Sequence, residues 1–169
     1  MTGPATLAAI VGATMVAEAI VSARHERALR ARGAVEPAGD VITAMQVVYP
    51  GVFVAMIAEG VARGAGAGPF LAAGAAVFAA AKALKYWAIA SLGERWTFRV
   101  LVPPGAVSTV AGPYRWLSHP NYVAVAGEIA GCALAMQAIV AGPLAFAGFG
   151  LLMRRRIKVE EAALAGQVE

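Results

Sequence analysis

Three runs of residues, 4–23, 41–58 and 69–92, are apolar over the length a helix needs to cross roughly 30 Å of hydrocarbon, about 20 residues at 1.5 Å each. Lipid offers no hydrogen-bond partner to a backbone, so such runs must be helical to satisfy themselves. Pro50 lies within the second run and predicts a kink there. The stretch 121–153 holds 33 residues with one charge, Glu128, and one other strongly polar side chain beyond Asn121, Gln137. That is too long for one span and short for two full ones. It predicts a tight hairpin of two short helices turning near residues 136–138. The alternative, a turn at Gly142-Pro143, would leave the second helix too short to cross. The expected fold class is therefore all-α: a polytopic membrane helical bundle of about five transmembrane helices, the last two a short hairpin. Only 14% of the residues are charged against about a quarter in soluble domains, and 60% are apolar. No linker divides the runs, so residues 1–169 are read as one integral-membrane domain.

Lys and Arg in short loops set membrane orientation, and the fourteen basic residues test the five-span reading. Arg24, Arg27, Arg30 and Arg32 follow the first run, and Arg95, Arg99 and Arg115 follow the third. Arg154, Arg155, Arg156 and Lys158 follow the fifth. Alternation puts all three groups on one side and leaves only Arg63 in an opposite loop. The N-terminus is thus expected outside and the C-terminal tail in the cytoplasm, with a bacterial plasma membrane as the expected location. The first run has no basic segment before it and a basic cluster after it, which argues for a retained span over a signal peptide. A net charge of +4 and a pI near 9.6 reflect these topology signals. The basic residues form no single patch with interleaved aromatics, so nucleic acid is not an expected partner. Cys132 is the only cysteine, which rules out an intrachain disulfide and a cysteine-based metal site, and no metal is expected.

Glu18, Lys82, Lys85 and Glu128 fall inside predicted spans and Glu59 near the end of one, where ionised groups are costly and face a protein interior or cavity. Lys82 and Lys85, one turn apart, are expected to snorkel or to pair with Glu18 or Glu59 and fix helix packing. A competing reading makes the chain a small membrane transporter or assembly subunit without catalysis, with Glu18, Lys82 and Glu128 lining a path. The two halves show no internal similarity of the kind that often underlies transporters.

Two segments on the same side break the apolar pattern. The loop from Gly93 to Pro120 is long, rich in proline and aromatic residues, and ends in His119-Pro120 running into Asn121-Tyr122. Connections of this length inside a compact domain are usually functional or disordered, and this composition argues against disorder. Pro120 suits the first turn of a helix, whose free N–H groups and dipole offer a place for an anion or an acceptor nitrogen. After the last span come Arg156-Ile157-Lys158-Val159-Glu160-Glu161. Taken alone, that run is a basic anchor with one i,i+4 salt bridge between Arg156 and Glu160.

Together the segments read Gly112-Pro113-Tyr114-Arg115-Trp116-Leu117-Ser118-His119-Pro120-Asn121-Tyr122, a hairpin-length gap, then Arg156-Ile157-Lys158-Val159-Glu160-Glu161. This order resembles the isoprenylcysteine carboxyl methyltransferase family and its bacterial relatives, over about residues 93–165. The stretch Val21-Ser22-Ala23-Arg24-His25-Glu26-Arg27 is similar to a bacterial branch that includes methyltransferases of long-chain polyketide phenols and pyrones. Ser118 departs from the pattern, standing where an arginine often precedes the histidine, with Arg115 as the candidate substitute.

The resemblance implies an S-adenosylmethionine-dependent O-methyltransferase whose cofactor is bound by Tyr114, His119, Pro120, Asn121, Tyr122 and Glu160. Val107, Ser108 and Thr109 are implied to contribute from the preceding loop. It places Arg156 toward the methyl acceptor. The implied acceptor is lipophilic, the oxygen of an alkylpyrone or alkylresorcinol ahead of a prenylated cysteine carboxylate, and reaches the site sideways from membrane lipid. A carboxylate acceptor needs no base. An enol or phenol needs modest help, for which Glu128 and His119 are the candidates, with a structural role as the other reading of Glu128. Oligomeric state is not legible, because Gly- and Ala-rich helices pack within or between chains alike.

Overall fold

The apolar runs fold, in a computed structural model, as α1 (Gly3–Ala31), α2 (Ile42–Ala62) and α3 (Pro69–Leu92). The 121–153 stretch becomes a hairpin of α4 (Pro120–Met136) and α5 (Ala141–Ala165). The structure describes residues 3–105 and 110–165. The first three helices are long and apolar enough to cross a membrane. At 17 residues, α4 spans only about 26 Å, as the short-hairpin reading required, whereas α5 at 25 residues runs on through the charged segment after residue 153 and is not short. The five helices of an all-α membrane bundle are thus present, and Pro50 lies inside the continuous α2.

The helix ends have local causes. Pro69 and Pro120 open α3 and α4, where the N–H they lack would be unpartnered anyway. Gln137 ends α4 in the left-handed region (φ 51°), its N–H returning to Ala133 and Leu134 carbonyls. The chain thus turns over residues 137–140, close to the predicted 136–138, and Gly142-Pro143 falls within the first turn of α5. The start of α5 is capped from another helix: the Glu59 carboxylate accepts the N–H groups of Val140 (3.1 Å) and Ala141 (2.7 Å). Of the two partners offered to the buried lysines, Glu59 is therefore used elsewhere and Glu18 is the one engaged.

Helices α3 and α4 approach at backbone distance. A Cβ on Gly131 would stand 2.6 Å from the Phe78 nitrogen and 2.8 Å from the Gly74 carbonyl oxygen, so glycine on both helices permits the contact. Around this pair Met45, Phe53, Met56, Phe78, Ile129, Cys132, Met136 and Phe149 form the core. Large apolar side chains such as Val16, Val47, Val54, Leu144 and Leu151 point outward and are exposed, as suits helices solvated by lipid.

Within the core lies a layer of charge. Lys82 Nζ is 2.6 Å and Lys85 Nζ 2.7 Å from the Glu18 carboxylate, and both lie 3.3 Å from Glu128 Oε1. Tyr49 donates its hydroxyl to the same Glu128. All four ionised side chains are buried. Two ammoniums and two carboxylates neutralise one another and tie α1 to α3 and α4.

The loops after α1 and α3 meet at one end of the bundle, where the basic residues gather. Arg32 pairs with Glu94 (2.5 Å), Arg99 with Glu36 (2.7 Å) and Glu26 (3.6 Å), and Val35 bridges Val102. Burial alone would raise the pKa of Glu36, but hydrogen bonds and charge from Arg30 and Arg99 hold its carboxyl below the usual carboxylate range. On α1, Ser22 accepts the Phe98 N–H (2.7 Å) and His25 Nδ1 meets the Trp96 carbonyl (2.8 Å). Residues 96–102 are thereby strapped across this end.

Candidate active site

At the strapped end, the start of α4 and the charged part of α5 lie side by side. Residues 156 and 160 are one helical turn apart and 119 and 122 are three apart, so each pair projects toward the other. Arg156 Nε donates to the Tyr122 hydroxyl (3.0 Å), and that hydroxyl donates to Glu160 Oε2 (2.9 Å). The Arg156/Glu160 spacing thus serves a different end from the expected salt bridge: both residues meet at one phenol. His119 Nε2 lies 3.1 Å from Glu161 and Nδ1 3.9 Å from Glu160, and its ring centroid is 5.5 Å from that of Tyr122. No side chain caps the start of α4.

Arg156 is buried, whereas its neighbours Arg154 and Arg155 are exposed. Its guanidinium also reaches the Phe98 carbonyl and Asp40 Oδ1 (3.4 Å). The anchor reading of the tail therefore fits Arg154 and Arg155 and does not fit Arg156.

A cavity of about 660 Å³ opens beside these groups, within the usual size range of small-molecule sites. Its polar end is lined by Tyr114, His119, Asn121, Tyr122, Arg156 and Glu160, and Ser118 also faces it. Its walls continue along α1 with Met15 and Ala19 and along α2 with Met45 and Tyr49, to Val125 and Phe149, with Glu18 and Lys85 of the charged layer reaching the lining. The residues singled out in both halves of the sequence motif are thus brought to one space. Pro120 stands behind it, buried at the first turn of α4. Val107, Ser108 and Thr109 lie outside the described residues. Burial raises the Tyr114 phenol pKa well above its ordinary value, and the Glu160 carboxylate adds to the rise, so this ring enters the cavity as a neutral phenol.

Two sequence expectations are relocated by the structure. Glu128 lies one layer behind the cavity, fully buried and held by Lys82, Lys85 and Tyr49, so of the two proton-handling candidates only His119 lines the space. Arg115, the candidate replacement for the arginine missing at Ser118, lies 5.8 Å over the Trp116 ring, and it is Arg95 that joins the lining. Sequence reasoning missed Asp40, Tyr49 and the Phe98 carbonyl. The only sign of Asp40 was a carboxylate placed directly before an apolar run.

Residues 73–166 match the Isoprenylcysteine carboxyl methyltransferase (ICMT) family. The uncharacterized protein YpbQ of Bacillus subtilis (strain 168) is 32% identical over 161 residues, covering 94% of each chain. An uncharacterized protein of Haemophilus influenzae is 27% identical over 146 residues, covering 86% of this chain and 85% of its own. No solved structure matches. With its apolar spans and a match over more than half its length, the chain belongs to the isoprenylcysteine carboxyl methyltransferase family, a membership that points to a membrane methyltransferase.

Proposed function

We propose that this protein transfers a methyl group from S-adenosylmethionine to an oxygen of a lipophilic acceptor. One observation carries the reading: a single cavity joins a polar end made by Tyr114, His119, Asn121, Tyr122 and Glu160 to apolar walls on α1 and α2. Such a space suits a charged nucleoside at one end and an amphipathic molecule at the other.

The residues fit the cofactor chemically. Glu160 accepts a hydrogen bond from Tyr122 and keeps acceptor capacity for an ammonium. The Tyr114 and Tyr122 rings offer faces to a sulfonium or an adenine. The uncapped start of α4, at His119-Pro120-Asn121, offers a positive dipole end to a carboxylate, and Val107, Ser108 and Thr109 complete the set that the resemblance assigns. When bound, the cofactor supplies an activated methyl group on sulfur.

Methyl transfer of this kind is an in-line displacement, so the protein's part is to align two partners and exclude water. Arg156 presents a charged, planar donor to the acceptor oxygen at the junction of the polar end and the apolar walls. His119 takes the proton when the acceptor is an enol or phenol, and a carboxylate acceptor needs no such step. Glu128 acts behind Tyr49 as support. We place the acceptor in the alkylpyrone or alkylresorcinol class ahead of a prenylated cysteine carboxylate, entering from membrane lipid, with the site on the cytoplasmic face of a bacterial plasma membrane. Mass spectrometry of lipid extracts from cells with and without the chain tests this reading. The expected result is a lipid heavier by one methyl group only where the chain is present. Identical extracts, together with reconstituted solute uptake that ignores S-adenosylmethionine, would replace it with the transporter reading.

A further inference from the structure

Asp40 lies at the foot of α2, far in sequence from the motif residues and outside the matched 73–166 segment, yet it is buried against Arg156. Its side chain is 3% exposed. One carboxylate oxygen, Oδ2, accepts the Val100 N–H (3.2 Å), which ties Asp40 to the strap over the cavity, while Oδ1 faces Arg156 Nη1 at 3.4 Å. A carboxylate buried this deeply is expensive unless an opposite charge and hydrogen bonds satisfy it.

A guanidinium carries five N–H donors in one rigid plane. In Arg156, Nε is committed to the Tyr122 hydroxyl and one Nη2 hydrogen to the Phe98 carbonyl, while Nη1 donates to the Met45 sulfur (4.0 Å) and faces Asp40 Oδ1 as an ion pair at 3.4 Å. Partners on three edges fix the plane, because a planar group held there has no torsion left to turn. We propose that Asp40 is a positioning residue for methyl transfer: together with Phe98 and Tyr122 it sets the Arg156 plane so that the remaining Nη2 hydrogen serves the acceptor in the cavity. The N-terminal half of the chain then supplies a functional carboxylate as well as apolar walls. The inference rests on the proposed function, since it needs Arg156 to address the acceptor.

The test uses the full chain in detergent micelles. Tritiated methyl transfer from S-adenosylmethionine is followed into a lipid extract of cells lacking the chain, and S-adenosylhomocysteine is titrated separately. Asp40→Asn is expected to slow transfer about tenfold or more, the effect of removing one charge of a buried ion pair, while S-adenosylhomocysteine affinity stays unchanged. Asp40→Glu recovers part of the rate. Arg156→Ala is slow by itself, and adding Asp40→Asn to it slows transfer no further, because Asp40 acts only through Arg156. Losses that multiply in the double variant, a full rate in Asp40→Asn, or a parallel loss of S-adenosylhomocysteine affinity would overturn the proposal. Should Asp40→Asn fail to fold, the same comparison runs with Asp40→Glu and Arg156→Lys, singly and together. Absence of both transfer and S-adenosylhomocysteine binding in the unmutated protein would overturn the underlying function, and this inference with it. Binding with intact transfer that ignores Asp40 would overturn this inference alone.

Discussion

Replacing Lys85 by Met removes one of two ammoniums from a buried cluster that is neutral as it stands. Glu18 loses its 2.7 Å partner and Glu128 loses one of two lysines at 3.3 Å, so two carboxylates are left to share Lys82. Breaking a buried ion pair by deleting one side costs about 3 to 5 kcal/mol, because the remaining charge stays desolvated. At about 2 to 4 °C per kcal/mol for a chain of this size, the unfolding midpoint should fall by roughly 6 to 20 °C. The reasoning makes a second, sharper demand. Glu18→Gln added to Lys85→Met restores neutrality, so the double variant should be more stable than the sum of the two single losses by about 1 kcal/mol or more. Thermal unfolding in micelles, followed by tryptophan fluorescence for the unmutated chain, the two single variants and the double, measures both. An unchanged midpoint in Lys85→Met, or strict additivity in the double, would refute the view that charge pairing holds α1 to α3 and α4.

Three shorter predictions follow from the same geometry. Arg156→Ala should depress turnover and raise the acceptor's apparent Michaelis constant while Arg155→Ala does neither, because only Arg156 is buried and lines the cavity; equal effects would return both to the role of membrane anchor. Gly131→Ala should destabilise the fold by about 1 to 3 kcal/mol, since its new Cβ would meet the backbone of α3 at 2.6 Å; a neutral denaturation midpoint would show that α3 and α4 separate easily. In a Cys132→Ala background, Ala65→Cys should react with an impermeant thiol reagent applied to intact cells and Ser108→Cys should not; labelling of both would overturn the orientation.

What the sequence made legible follows from what physics writes locally. Uninterrupted apolar length declared α1, α2 and α3, and a charge-poor stretch too long for one span declared the α4–α5 hairpin, even to its turn. The polar end of the cavity was legible because its residues cluster in two short runs that a hairpin folds back together. What escaped were contacts between residues far apart in the chain. Nothing near Asp40 announces that it will meet Arg156, 116 positions later, and nothing near Glu59 announces that it will cap α5. The Arg156/Glu160 spacing even pointed to a local salt bridge, whereas the tertiary fold offers each of them the Tyr122 hydroxyl. Glu128 stood both as a candidate base and as a structural residue, and only the packing of α4 against Lys82, Lys85 and Tyr49 decides that it lies behind the cavity wall.

The most direct test of cofactor binding at the start of α4 is calorimetric titration of S-adenosylhomocysteine into the purified protein, the Glu160→Gln variant and a Glu161→Gln control. Glu160 lines the cavity beside Tyr122, while Glu161 is 61% exposed and meets the His119 ring. The unmutated chain should bind, Glu160→Gln should lose about 1.5 to 3 kcal/mol, more than tenfold in affinity, and Glu161→Gln should stay close to the unmutated value. No heat from the unmutated protein, or an unchanged affinity in a folded Glu160→Gln variant, would contradict the assignment.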